Sequence, residues 1–325
     1  MRHPWAIAGL SGLVLATGAA ALAAGPSIRA ARWVASSADP VAVLTRRPVE
    51  CLRKPRGAEA AYEVEVGRAA FRTPLLLGGQ ASRAGLDCES CHRNGRTNPS
   101  FFFPGLSGAP GTADVTSSLF SSHRGDGVDN PKPIPDLGGD KARLKIGQAN
   151  GDPALPLFIH GLITEEFDGA EPTPGVLKGL AAYVRALAPS ACAARETEPV
   201  RVEQPISDAR RAVQVAIAAL DRNDDETAIL MVESARSQLA LIDERYGAIP
   251  RDRASVRVAA LDLSAAVADV RARRKPDART ALIAWLVRTP TWARPVEADQ
   301  ARSLYNPTEL ARSLRSAGQA LAARH

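Results

Sequence analysis

The chain has 325 residues, of which 45% are hydrophobic, 5% aromatic and 23% charged. That suffices for a packed core and about two domains. The formal charge of +6 is a mild excess spread among acidic residues, which argues against a nucleic-acid surface. Abundant alanine and the lack of long Val/Ile/Thr alternation exclude a large sheet and predict an all-α fold.

The N-terminus reads MRHPWAIAGLSGLVLATGAAALAAG. Arg2 and His3 precede an uncharged apolar run from Trp5 to Ala24, and Ala21-Leu22-Ala23 follows the small-x-small pattern of signal peptidase sites. A signal peptide over 1–24, cleaved near Ala23, is expected, with the rest of the chain in the periplasm. The run also nearly spans a bilayer. An uncleaved anchor in the inner membrane, facing the periplasm, is the alternative, and membrane contact is expected only then. Residues 25–50, with Pro26, Pro40 and Pro48, read as a linker.

Residues 51–195 are rich in Gly and Pro and carry short helical patches. Their sharpest feature is Cys88-Glu89-Ser90-Cys91-His92. Zinc would need a second Cys/His pair, and the other cysteines, Cys51 and Cys192, stand alone. A redox dithiol would need a βαβ context that is not evident. Covalent haem needs two thiols spaced for two vinyl groups and an imidazole beside the second. One haem c is therefore expected, with Cys88 and Cys91 as anchors and His92 as the proximal iron ligand. Cysteines that are idle, or bonded to each other, are the plain alternative. In an oxidising compartment Cys51 and Cys192 are expected to pair. Their bridge would close a loop of about 140 residues and contribute about 4–5 kcal/mol by chain entropy. Free thiols, or pairing to another chain, would be the alternatives.

The segment VGRAAFRTPLLLGGQASRAGLDCESCH resembles the haem-binding segment of bacterial cytochrome c peroxidases and the related MauG group, through Gly67, Arg68, Phe71, Pro74 and Leu76. TSSLFSSHRGDGVDNPKPIPDL is similar to the stretch after their peroxidatic haem site. GVLKGLAAYVRAL, with Val176, Leu180, Tyr183, Val184 and Leu187, resembles the closing helix of cytochrome c domains, which packs on the haem-bearing helix. The resemblance covers about residues 60–190 and implies a cytochrome c-like haem domain with loop-rich insertions. Those peroxidases carry two haems and usually a Met ligand. Here one motif is present, and the only methionines are Met1, in the presequence, and Met231, read as core filler.

Without its own methionine such a domain uses a histidine, another ligand or an open position, and the histidines on offer besides His92 are His123, in the ligand-loop-like SSHRGDG, and His160, in LPLFIHGLITEEF. His123 is preferred, and a hydrogen-bonded histidine without iron contact is the alternative for each. Arg83, Arg93, Arg96 and Arg124 could pair with haem propionates, although each singly reads as ordinary surface arginine. Phe101, Phe102 and Phe103 could wall the porphyrin or simply fill core. Glu165, Glu166 and Asp168 are the carboxylates that a peroxidase could use.

Beyond the boundary at ARETEPVRVEQP, near 195–205, an antiparallel α-helical bundle is expected over 205–325. Ala228, Val232, Ala235, Leu239, Ile242 and Tyr246 recur at spacings of four and three. Asp224 or Asp225 caps their helix and Gly247 stops it. Val256, Ala260, Leu263, Val267 and Val270 repeat the pattern, after a shorter stripe of Val213, Ile217 and Leu220. ARTALIAWLVR and PTELARSLRSAGQALAAR follow. The expected function is one-electron transfer by an exported monohaem cytochrome with a redox partner protein. A six-coordinate iron has no vacancy for peroxide. A peroxide-reacting enzyme with an open or opened iron is the second expectation. A haem-based redox sensor whose bundle binds a partner is the third.

Overall fold

The computed structural model describes residues 28–322, except 118, 124, 126, 141–143 and 193–196, and side chains as far as residue 317. The expected signal segment 1–24 and Arg124 lie outside the described residues. The protein is mostly α-helical, and its strands are two- and three-residue ladders.

Residues 28–50, expected as a linker, are packed onto the rest. A 3₁₀ turn over Arg29–Trp33 buries Trp33, and Asp39 caps α1 (Pro40–Thr45) by accepting from the Val41 amide. Ile28 and Leu44 bury against Leu310 of α11 (Pro307–Ala322). β1 (Arg46–Pro48) pairs antiparallel with β4 (Thr197–Pro199), Arg47 facing Glu198.

The next elements are α2 (Ala58–Phe71), α3 (Gly79–Ala84) and α4 (Cys88–Cys91), then the ladder of β2 (Thr112–Ala113) with β3 (Lys132–Pro133). α5 (Ala154–Gly161) runs into one π-helical turn, Leu162–Glu166. α6 (Pro174–Ala186) starts at Thr173, whose hydroxyl accepts from the Val176 amide, with Pro174 pre-set for the first turn. The main partner of α6 is α2, not the four-residue α4. The two meet at paired glycines, where a Cβ on Gly67 would lie 1.9 Å from the Gly179 carbonyl oxygen.

α7 (Glu203–Asp221), α8 (Asp225–Arg245), α9 (Pro250–Arg271) and α10 (Lys275–Ala298) form a bundle in which each helix packs on the next and α10 returns to α7. The α8 stripe from Ala228 to Tyr246 is fully buried, as is Met231, and Asp224 caps that helix through the Thr227 amide. In the flanking stripes Ile217 and Ala260 are only half-buried. α10 extends ten residues past the segment legible as ARTALIAWLVR and crosses Pro290 and Pro295. Trp292, Ala293 and Val296 bury beyond the first proline, and that packing outweighs the lost helical hydrogen bonds.

The halves on either side of residue 200 share one apolar core: Val64, Phe71, Leu180 and Tyr183 belong to the same cluster as Ile206, Met231, Leu239 and Trp285. Cys51 and Cys192 form a disulfide with their Cα atoms 5.2 Å apart.

Candidate functional site

Cys88 and Cys91 are the ends of α4, one turn apart on a single short helix. The turn is fixed by a capping box: Asp87 Oδ1 accepts from the Ser90 amide at 2.8 Å, and Ser90 Oγ accepts from the Asp87 amide at 3.1 Å. Asn98 Nδ2 donates to the Ser90 carbonyl and ties the next loop to the same turn.

The two sulfurs carry no disulfide and are half-buried against Trp33, Leu86, Phe101, Phe120 and Ile134. Burial pushes the Cys91 thiol up to about 12 and raises Cys88 as well, with Asp87 adding to both. The thiols are therefore protonated at neutral pH. Disulfide exchange and thiolate–metal chemistry need the opposite shift.

His92 Nδ1 lies 3.0 Å from the Pro135 carbonyl oxygen. A carbonyl only accepts, so Nδ1 carries the hydrogen and Nε2 keeps its lone pair. Burial pulls the imidazole down to about 4, so the ring is neutral at pH 7. Its flank meets Phe71, with ring centroids 6.4 Å apart, and Phe71 in turn meets Tyr183 at 5.1 Å. The segment that supplies Pro135 also grips the residues after the motif. The Leu137 and Gly138 amides donate to the Gly95 carbonyl, and Arg96 pairs with Asp136 at 2.6 Å. Gly95 has φ +75°, and a Cβ there would strike Leu187 at 2.4 Å, so the chain turns under α6 only because it is glycine.

Beneath the motif lies a buried charged network that the sequence reading missed. Arg72 donates to Glu50 Oε1 at 2.7 Å and to Asn94 Oδ1 at 2.8 Å, and stands 3.5 Å from Glu89. Tyr183 donates to the same Glu50 oxygen, and Arg68 joins Glu50 to Asp208 of α7 at 2.7 Å each. Asn94, fully buried with φ +51°, donates to the Pro48 carbonyl, and its own amide donates to Glu89. Burial opposes ionisation of Glu50, yet Arg72 and Arg68 hold its carboxyl far below the ordinary range. One residue of this network was readable through its motif, Arg68, and Tyr183 was readable as a helix face. Glu50, Arg72 and Asp208 carry no spacing signal.

The two histidines considered as sixth ligands differ in how their rings are held. His123 Nδ1 lies 3.1 Å from Asp168 Oδ1 and 3.2 Å from Ser122 Oγ. Asp168 sits below the ordinary carboxylate range, chiefly because the Ser122 amide donates to it. That carboxylate orients Nδ1–H and leaves Nε2 as acceptor, the same tautomer as in His92. His160 instead presents Nε2 to Glu171, at 2.9 Å. Among the described residues no three His, Cys, Asp or Glu side chains converge as for a bare metal ion.

Of the arginines considered for propionates, Arg83 donates to Gln80, Arg93 donates to the Arg46 carbonyl and Arg96 holds Asp136. Phe101 is fully buried, Phe102 half-buried, and Phe103 stacks edge-on to Phe120 at 5.2 Å. Glu165 is exposed, Glu166 is buried on the π-turn, and Asp168 serves His123. Compared with protein-family models, curated proteins and solved structures, the chain matches none.

Proposed function

We propose that the chain is an exported monohaem c-type cytochrome that passes single electrons to and from a partner protein. In this reading residues 51–195 form a cytochrome c-like haem domain, similar to a reduced cytochrome c peroxidase or MauG unit, and 205–325 form the bundle. Cys88 and Cys91 are the covalent anchors, and His92 Nε2 is the proximal ligand. The observation that carries the reading is the His92 Nδ1–Pro135 bond beside two free cysteines one turn apart. The bond leaves Nε2 as the acceptor that a haem iron would take, and the two free thiols could add across two vinyl groups. The donor set fits haem c rather than structural zinc, which takes four N or S ligands, and among the described residues Cys88, Cys91 and His92 gain no fourth. Haem would supply a one-electron couple when bound.

His123 is the distal ligand in this proposal, because Asp168 orients it as Pro135 orients His92. His160 is disfavoured because its Nε2 is spent on Glu171. A ligand pair of two histidines sets a lower potential than His/Met. A peroxide-reacting enzyme is the second reading. It rests on the exposure of His123, whose side chain is 64% solvent-accessible and so is easily displaced from a loop. Periplasmic location accords with the Cys51–Cys192 bridge, since disulfides persist in oxidising compartments. Among the described residues no helix is long and apolar enough to cross a membrane.

The test is expression in a host that attaches haem c, followed by a pyridine haemochrome spectrum and intact mass. A c-type haemochrome and a mass gain of one haem, both abolished by Cys88→Ser/Cys91→Ser, are expected. A colourless, correctly exported protein overturns the proposal. A low-spin ferric EPR spectrum, unchanged by peroxide and turned high-spin by His123→Ala, supports the carrier with this distal ligand. A high-spin spectrum in the parent protein supports the enzyme.

A further inference from the structure

The outer groove between α8 and α9 is lined, among the described residues, only by these two helices and Ala272, and its chemistry is lopsided. Two adjoining hollows, of about 500 and 210 Å³, share Arg236. Their floor is small: Ala240, Ala260, Ser264 and Ala268. Along one ridge Leu261 is 67% exposed. From residue 257 to 271 the groove runs roughly 21 Å at 1.5 Å per residue, the length of four helical turns.

Charge along the groove is unbalanced. Arg253 and Arg257 share one carboxylate, Asp243. Arg236 pairs with Glu233 at 2.6 Å, while its Nε is buried with no hydrogen-bond partner. Arg271, at the far end, has no ion pair among the described residues. Four guanidinium groups thus stand against two carboxylates, and a buried donor points at nothing.

We infer that this groove docks an amphipathic helix of a partner protein that carries acidic residues along the edges of its apolar face. A floor of alanine and serine lets a third helix approach closely, as helices packing ridge into groove require. Leu261 offers the apolar contact. Carboxylates reaching Arg271 and the exposed part of Arg236 offset the excess of guanidinium charge along the groove. A second copy of this chain does not suit the groove, because the same excess of arginine would face itself. The inference is independent of the haem reading, since no residue of the groove touches the motif.

The experiment uses the full chain and a stapled 16-residue helix of Ala, Leu and Glu, with Glu on both edges of the apolar face. Fluorescence anisotropy measures its binding, and the control helix has Lys in place of Glu. The Glu helix is expected to bind at least about ten-fold tighter than the Lys helix. Arg236→Glu/Arg271→Glu is expected to reverse that preference with an unchanged melting temperature, an outcome that a damaged fold does not produce. Ser264→Trp, which fills the floor, is expected to weaken both helices. No binding of the Glu helix overturns the inference, as do equal affinities for the two helices. So does a dimer in sedimentation that the charge reversal dissociates, which would assign the groove to a second copy.

Discussion

Glu50 decides how firmly the motif is seated. Its carboxylate receives Arg68, Arg72 and the Tyr183 hydroxyl, and through Arg72 it reaches Asn94 and Glu89 on both sides of His92. Removing it leaves two buried guanidinium groups short of a counter-charge, so Glu50→Ala should cost about 3–5 kcal/mol in urea unfolding. Its pH dependence has a definite sign. The folded-state pKa lies below the ordinary 4.5, so the stabilisation is fully present above that value and is lost as pH falls below it. Subtracting the Glu50→Gln curve from the parent curve should leave a difference that is flat above pH 5 and shrinks below 4.5; a flat difference down to pH 3 would contradict the assignment. The centre of this network was not legible in the sequence. Glu50, Arg72 and Asp208 look like ordinary surface charges, and only the fold brings residues 140 positions apart to 2.7 Å. The Cys-x-x-Cys-His spacing was legible because its chemistry is local. The acceptor for His92 was not, because Pro135 lies 43 positions downstream.

Among elements, the α2–α6 crossing controls the site from a distance. Arg68, Phe71 and Arg72 stand on or just after α2, and Tyr183 stands on α6. Their meeting depends on backbones that touch at Gly67 and Gly179. Gly67→Ala places a Cβ 1.9 Å from a carbonyl oxygen that has no flexible end to yield. Overpacking of this kind should destabilise the protein by about 3 kcal/mol or more, read as a lower urea midpoint. An unchanged midpoint would show that the helices can separate without consequence. The α8 stripe and its Asp224 cap were readable because every position in them obeys the helical period. α10 was readable only to Arg288, since a proline ordinarily ends the pattern and the tryptophan packing that carries it onward is tertiary. The short ladder of β1 with β4 leaves no periodic trace at all.

At the scale of the whole molecule the chain behaves as one packed unit. The shared core, the Arg68–Asp208 pair and the Ser234 hydroxyl bonded to the Ala69 carbonyl join the motif-bearing half to the bundle. A single calorimetric transition is expected. Cys51→Ser/Cys192→Ser should lower stability by about 4–5 kcal/mol, chiefly by freeing the unfolded chain, and should move that transition without splitting it. Two transitions would mean that the core is not continuous. The bridge also imposes an order of events on biosynthesis. A ribosome delivers Cys51 first, then Cys88 and Cys91, and the proper mate of Cys51 arrives 141 positions after it. Throughout that interval the nearest available thiols are the wrong ones. Correct assembly therefore demands that an oxidant wait for the last cysteine or that a mistaken link be undone, and the yield of correctly bridged protein should depend on how fast Cys51 is oxidised.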